Sequence, residues 1–192
     1  MSNNNNEYTK FLEQKRKSVI ASGFSIDENS LNPALFDFQR FIVKRALHLG
    51  RFAIFADCGL GKTLMQIEWA NHVSKQTDKP VLILCPLAVA AQTIAEGEKF
   101  GIKVSRYLSS EQVEGVCITN YDQIENIDAS LFSGVVLDES SILKNFEGKT
   151  KELIISMFAD TPYKLACTAT PSPNDPMELG NHSEFLNVMS RN

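Results

Sequence analysis

Five residues of one loop in this chain have the types and the spacing that could hold phosphate groups: Gly59, Leu60, Gly61, Lys62 and Thr63. An apolar run at residues 51–56 comes before the loop, and a stretch with helical spacing at residues 64–70 follows it. Glycines allow backbone N–H groups to approach an anion closely, and the N-terminus of the following helix adds the positive end of a dipole. In such a unit the lysine reaches the outer phosphates of a nucleoside triphosphate, and the threonine hydroxyl binds Mg²⁺. The pattern therefore predicts a triphosphate site at this loop.

The match to the strict phosphate-loop pattern is incomplete, because Ala56 stands where that pattern has a further glycine. The alternative is an ordinary glycine turn in front of a helix. We favour a variant phosphate loop, since the Gly-x-Gly-Lys-Thr core and the strand-to-helix context are both present. Cys58 lies inside this loop, at a position that needs only a small residue, and we count it among the nucleotide-binding residues.

Two carboxylates follow a second apolar run, at the point where a phosphoryl-transfer site needs them. Asp138 and Glu139 come directly after residues 131–137. Asp138 would hold the Mg²⁺ shell together with Thr63, and Glu139 would orient or deprotonate the attacking water. The alternative is a solvated turn or the N-terminus of a helix, where acidic residues are favoured by the helix dipole. Together with Lys62 the pair favours catalysis, and the two serines that follow it could be simple helix caps.

Gln39 is a further candidate, because it lies near the start of a helix that we expect to end at Gly50, shortly before the phosphate-loop strand. A glutamine amide can accept from N6 of adenine and donate to N7 in a bidentate pair. A lone glutamine on a helix is more often a surface residue. The phosphate loop downstream is what makes adenine readout worth proposing.

Composition restricts the class of protein. The 192 residues are 43% hydrophobic, which is enough for one α/β domain with a real core and too little for two large ones. A net charge of −4 gives no global basic field, so any contact with nucleic acid must be local. The four cysteines are far apart with no Cys-x-x-Cys pair, which favours reduced thiols in a cytosolic protein. No stretch reaches the roughly 18 apolar residues of a membrane span, and the Asn-rich start has no signal-peptide pattern, so we expect no membrane partner.

Strands and helices alternate along the chain. A short amphipathic helix is expected within residues 8–20, with a basic triplet that fits a solvated face better than a phosphate contact. A helix is expected at about 88–100, and strands at the following apolar runs: 81–85, 104–108, 116–119, 131–137 and 163–167. This alternation indicates an α/β fold with a mostly parallel central sheet flanked by helices. The ligand site of such a sheet lies at the carboxyl ends of its strands.

These motifs, in this order, resemble the first RecA-like domain of a superfamily 2 DEAD/DEAH-like helicase or translocase, close to phage and bacterial helicases and the Swi/Snf-type ATPases. The resemblance covers residues 35–174 and rests on six segments: Phe38-Gln39-Arg40 (Q motif), residues 59–63 (Walker A), Cys85-Pro86-Leu87 (motif Ia), Ile118-Thr119-Asn120-Tyr121 (motif Ib), Asp138-Glu139-Ser140-Ser141 (Walker B) and Thr168-Ala169-Thr170-Pro171 (motif III). Walker A and Walker B are its specific parts. It implies a three-layer RecA-like P-loop NTPase domain at residues 35–192, after an N-terminal tail and short helix at residues 1–34.

The resemblance also implies roles for residues at the strand ends. Gln39 would read the adenine of ATP, while Thr168 and Thr170 would couple the nucleotide state to a second RecA-like domain. Four residues would line the nucleic-acid backbone: Pro86, Leu87, Thr119 and Asn120. We therefore expect ATP and Mg²⁺ as cofactors and nucleic acid as a partner, DNA more than RNA. The expected location is the cytoplasm of a bacterial or phage-infected cell.

Two features depart from the family pattern. Ser141 stands at the fourth Walker B position, where the family usually has His or Asp, and its side chain has a shorter reach toward motif III. The chain stops at Asn192, soon after motif III, so the second RecA-like domain with its arginine fingers would belong to a longer protein or to a separate chain. Two alternatives stay open: a regulatory module that binds ATP without turnover, and an unrelated phosphate-loop kinase. Motif III and the position of Gln39 argue against the kinase.

Overall fold

The computed structural model describes residues 21–111, 113–144, 149–171 and 178–188, and these ranges contain a six-stranded sheet. Its strands lie in the order β1-β6-β5-β2-β4-β3, and all five strand pairs are parallel. The strands have these bounds: β1 Arg51–Phe55, β2 Val81–Cys85, β3 Val104–Arg106, β4 Val116–Asn120, β5 Gly134–Asp138 and β6 Tyr163–Thr168. The expected α/β fold with a mostly parallel sheet is thus confirmed.

Five α-helices accompany the sheet in the described residues: α1 Asp37–Leu49, α2 Lys62–Thr77, α3 Ala90–Lys99, α4 Lys149–Met157 and α5 Glu178–Phe185. Alternate residues of the strands enter two separate apolar clusters, because successive side chains of a strand point to opposite faces. Ile83 and Leu165 pack with α1, α2 and α3, whereas Leu84 and Ala166 pack with α4 and α5. The sheet therefore lies between two helical layers, which is the expected three-layer arrangement.

The position of β6 in the sheet decides which residues meet at the site. β6 lies between β1 and β5, with Phe55 opposite Thr168 and Asp138 opposite Cys167. Since the strands are parallel, their carboxyl ends share one edge of the sheet. The end of the phosphate-loop strand, Thr168 of motif III and the acidic pair after β5 therefore lie side by side.

Most predicted elements are confirmed, with a few differences at their ends. β2 has the predicted bounds. Gly50 caps the C-terminus of α1, as expected, and its φ of 75° suits glycine. The strand expected from residue 131 was wrong at its start, because Ala129–Leu131 forms a 3₁₀ turn and β5 begins at Gly134. The helices α4 and α5 had no sequence prediction. The helix expected at residues 8–20 lies outside the described residues.

A buried lysine attaches α5 to the sheet. Lys164 is a fully buried residue of β6, and burial lowers its pKa to about 8. Its Nζ donates to the carbonyl oxygen of Ala159 at 3.2 Å and to that of Phe185, the last residue of α5, at 3.1 Å. This buried contact holds the C-terminal end of α5 against β6. Within the described ranges, none of the helices is both long and apolar enough to span a bilayer.

Candidate nucleotide-binding site

The phosphate loop connects β1 to α2 and uses both of its glycines in left-handed conformations. Gly59 has φ of 83° and Gly61 has φ of 71°, which side chains rarely allow. A Cβ at Gly61 would also collide with the side-chain nitrogen of Gln39, whereas Gly59 faces open space. The two glycines thus give the loop its shape, and Gly61 also allows the Gln39 side chain of α1 to approach the loop.

The ammonium group of Lys62 lies across the loop that it terminates. Its Nζ donates to the carbonyl oxygens of Ala56 at 2.7 Å and Asp57 at 3.0 Å. Lys62 and Thr63 are also the first two residues of α2, where the positive end of the helix dipole lies. A positive side chain and the helix N-terminus therefore meet inside one short loop, which is an anion-binding arrangement.

Gln39 connects α1 to the phosphate loop. Only 3% of this residue is exposed. Its Nε2 donates to the carbonyl oxygen of Leu60 at 2.9 Å, and its Oε1 accepts from the backbone N–H of Phe36 at 2.9 Å. Gln39 therefore lies next to the loop, as the Q motif predicts. The nitrogen and the oxygen of its side-chain amide both form hydrogen bonds with backbone groups. Adenine readout by Gln39 stays a prediction.

Asp138 is held at two points at the end of β5. Its Oδ1 accepts from Nε2 of Gln66 at 2.8 Å, and its backbone oxygen accepts from the Tyr121 hydroxyl at 2.8 Å. Burial raises the pKa of Asp138, while the Gln66 hydrogen bond and the charge of Lys62 oppose that rise. Asp138 ends β5, and only β6 separates β5 from the phosphate-loop strand β1, so the carboxylate and the phosphate loop lie at the same edge of the sheet.

Glu139 follows Asp138 with an unusual backbone conformation. Its φ of 58° lies in the left-handed region, a strained conformation for a residue other than glycine that is often found at functional sites. Its Oε1 accepts from the Thr168 hydroxyl at 2.6 Å, and that hydroxyl oxygen accepts from the backbone N–H of Thr170 at 3.0 Å. The two motif III threonines therefore form a chain of hydrogen bonds that ends on the Glu139 carboxylate.

The oxygens of Thr63 and Asp138 are of the type that Mg²⁺ prefers. Both residues are half-buried at the same edge of the sheet, since Thr63 begins α2 after the loop that follows β1 and Asp138 ends β5. In the part of the chain that the structure describes, no three His, Cys, Asp or Glu residues form a metal-binding group. Mg²⁺ in nucleotide sites commonly uses one or two protein ligands together with substrate phosphates and water. This pair of residues fits such an ion.

Residues 38–190 match the SNF2-related domain, which is most of the chain. The chain belongs to the SNF2-related domain family. No curated protein is significantly similar to it in sequence. The resemblance to the Swi/Snf-type ATPases that we drew from the motifs is thereby confirmed.

Solved structures show the same fold at low sequence identity. The SWI2/SNF2 ATPase core of Sulfolobus solfataricus, solved in complex with dsDNA, superposes with a TM-score of 0.73 and 22% identity, over 85% of this chain and 38% of that one. The UvsW helicase of bacteriophage T4 gives 0.66 and 16% over 78% and 57%, and the Hef helicase domain of Pyrococcus furiosus gives 0.61 and 20% over 78% and 35%. This chain thus spans less than two thirds of each. Its family is that of the SNF2-related domain, and its fold is the RecA-like α/β fold of SWI2/SNF2 ATPase cores.

The predicted nucleic-acid contacts of this SNF2-related domain lie after β2 and at the end of β4. Leu87 is 67% exposed, and with Pro86 it lines a groove of about 340 Å³ that also reaches Glu139. Thr119 is mostly buried, and the Asn120 side chain accepts from the backbone N–H of Asp122 at 3.0 Å. The structure thus brings the motif Ia residues to an open surface, and all four contacts stay predictions.

Sequence reasoning missed two side chains of the SNF2-related domain that support the acidic pair. Gln66 bonds to Asp138, and its position three residues after Thr63, on the same face of α2, could have indicated this. His182 of α5 hydrogen-bonds to Ser140 at 3.0 Å, and its ring lies edge-on to Phe55. Ser140 is therefore a buried partner of α5 instead of the simple helix cap that we considered. No local pattern in the sequence indicates the His182 contact.

Proposed function

We propose that this chain is the ATP-binding half of a nucleic-acid-dependent ATPase, a DNA helicase or translocase that hydrolyses ATP when a second RecA-like domain completes it, in cis or in trans. One observation carries the proposal. The Lys62 loop, the Asp138-Glu139 pair and Thr168 lie at three neighbouring strand ends, with Thr168 bonded to Glu139. These groups are of the phosphate-binding, metal-binding and water-activating kinds that phosphoryl transfer to water uses.

Each group has a distinct task in this proposal. Lys62 and the N–H groups of the loop bind the phosphates, and Gln39 contacts the adenine. Thr63 and Asp138 hold Mg²⁺, which when bound neutralises charge on the phosphates. Glu139 orients the attacking water and accepts its proton, while the Thr168 hydroxyl fixes the direction of the Glu139 carboxylate.

The proposed partners follow from the family and from charge. A SWI2/SNF2 core with the same fold was solved with dsDNA, which favours DNA over RNA. The net charge of −4 requires a local contact, for which exposed Leu87 of motif Ia is the candidate. A second domain is proposed because this chain spans only 38% of that core and because transition-state charge calls for an arginine. The three buried free thiols suit a reducing, cytoplasmic location.

Calorimetric titration of Mg-ATP into the chain and its Lys62→Ala variant tests the proposed site. A hydrogen bond to a charged group contributes about 1.5–3 kcal/mol. The variant should therefore bind ATP roughly 10- to 100-fold more weakly. Lys79→Ala is the control, because Lys79 is exposed and lies just before β2, at the opposite edge of the sheet. Equal ATP affinity in wild type and Lys62→Ala would contradict the assignment.

A further inference from the structure

We infer that Gln66 is a positioning residue for the metal site, which holds the Asp138 carboxylate in the orientation that Mg²⁺ requires. The inference rests on the proposed function, because it concerns the metal of that same site. Gln66 does not contact the nucleotide in this account. It acts through Asp138.

Gln66 is a polar residue in the protein interior. The residue is fully buried in α2, and its Nε2 lies 2.8 Å from Oδ1 of Asp138, a residue 72 positions later in the chain. Its own Oε1 is buried with no hydrogen-bond partner among the described residues. An unpaired amide oxygen is unfavourable in a protein interior, and methionine would fill the same space without that cost. Packing therefore does not account for an amide at this position, whereas the bond to Asp138 does.

The hydrogen bond between Gln66 and Asp138 has a fixed direction. An ionised carboxylate only accepts hydrogen bonds, so the Gln66 amide nitrogen must face Asp138. The Tyr121 hydroxyl binds the backbone oxygen of Asp138, so backbone and side chain are held separately. With both held, the carboxylate has little freedom to rotate.

Gln66 shares the helix α2 with the second proposed metal ligand. Thr63, the other proposed metal ligand, lies three residues earlier on the same helix, and residues three apart share one helix face. Gln66 therefore connects the Asp138 carboxylate to the helix that carries Thr63. Mg²⁺ demands near-ideal octahedral geometry, so the relative placement of its two protein ligands determines how tightly it is held. Loss of a group that orients a metal ligand typically costs about 10- to 100-fold in metal affinity.

The test measures how nucleotide binding depends on Mg²⁺ concentration. Binding of a fluorescent ATP analogue is titrated with Mg²⁺ in wild type, Gln66→Met and the control Met65→Leu, a volume-conserving change at the fully buried preceding residue. The Mg²⁺ midpoint of Gln66→Met should rise about 10- to 100-fold, while nucleotide affinity in EDTA stays within about twofold. A role in stability alone would leave this midpoint unchanged. Met65→Leu should match wild type.

A second variant keeps the inference testable if Gln66→Met fails to fold. Gln66→Asn retains the amide but is shorter by one methylene. Because the shorter side chain does not reach Asp138 in the same way, this variant should also raise the Mg²⁺ midpoint. A wild-type midpoint in whichever variant folds overturns the inference and leaves the proposed function intact. Absence of nucleotide binding by the wild-type chain at every Mg²⁺ concentration overturns the proposed function, and this inference with it.

Discussion

Addition of a second RecA-like domain to this chain is expected to raise its rate of ATP hydrolysis by about 10³- to 10⁵-fold. Phosphoryl transfer places negative charge on the equatorial phosphate oxygens, and an arginine from a facing domain stabilises that charge. In the proposed mechanism, Lys62 and the loop bind phosphate and Glu139 orients the attacking water. The sequence has a single arginine after motif III, Arg191, close to the last residue. The chain should therefore bind ATP and hydrolyse it slowly by itself.

The measurement is phosphate release by the chain alone and with the second domain, fused or added in trans, with and without DNA. The same second domain with its arginine fingers replaced by alanine is the matched control and should give little acceleration. The Lys62→Ala chain reports any contaminating ATPase. Turnover by the isolated chain at about 1 s⁻¹ or faster, the lower end of ordinary enzyme rates, would contradict the half-site account. A self-contained ATPase or a kinase would then be the better hypothesis.

Glu139→Gln should reduce turnover of the completed enzyme by about 10²- to 10⁴-fold while ATP binding is kept. The amide has the shape of the carboxylate and can still accept a hydrogen bond from Thr168, but it is a far weaker base. The loss should therefore be in kcat, with the Kd for ATP within about threefold of wild type. Single-turnover hydrolysis together with a separate binding titration measures the two quantities.

Glu125→Gln is the matched control for this prediction. Glu125 is exposed on the 3₁₀ turn Tyr121–Asn126, so the same chemical change there should leave both quantities at their wild-type values. If Glu139→Gln keeps turnover within tenfold of wild type, another group activates the water. The hydrogen bond from Thr168 to Glu139 would then have a structural role only.

The phosphate loop could be predicted from sequence because it is one contiguous segment. Its strand, its two glycines and the start of its helix follow each other within residues 51–63. The same holds for Val81–Cys85, an uninterrupted apolar run between turn signals that fits a strand buried on both faces. In both places the physical cause of the structure is local, so the bounds follow from the pattern.

The start of β5 could not be predicted in this way. Leu131 and Phe132 extend the apolar run of the strand, yet Leu131 closes a 3₁₀ turn whose Asp128 side chain accepts from the backbone N–H of Ser130 at 3.0 Å. Phe132 lies before the strand, yet it is also apolar, because it packs into the core beside Tyr107. Hydrophobicity alone does not distinguish a strand from a buried turn. The side-chain cap at Asp128 is the signal that decides it.

The supports of the acidic pair depend on contacts between distant parts of the chain. Ser140 and His182 are 42 residues apart, and Gln66 and Asp138 are 72 apart. The position of Gln66 on the Thr63 face of α2 could indicate that it lies near the site, but its pairing with Asp138 is fixed only when α2 packs on the sheet. The helix α4 is different, because the spacing of buried Ile154 and Phe158 is helical and could have been recognised. In α5, buried Asn181 and His182 interrupt any apolar pattern.

The central claim is that ATP binds within the loop at residues 56–63, and the chemistry of Cys58 tests it most directly. Cys58 is exposed, while the other three thiols are buried. Burial raises the pKa of Cys85 to about 12 and also raises those of Cys117 and Cys167. Because the thiolate is the nucleophile, a bulky maleimide should modify Cys58 selectively.

The measurement is ATP affinity after complete modification of Cys58, with mass spectrometry to establish the site and a Cys58→Ser chain treated with the same reagent as the control. We predict that Mg-ATP protects Cys58 from the reagent, and that the finished adduct abolishes ATP binding while the treated Cys58→Ser chain still binds. Normal ATP binding by chains fully modified at Cys58 would contradict the account.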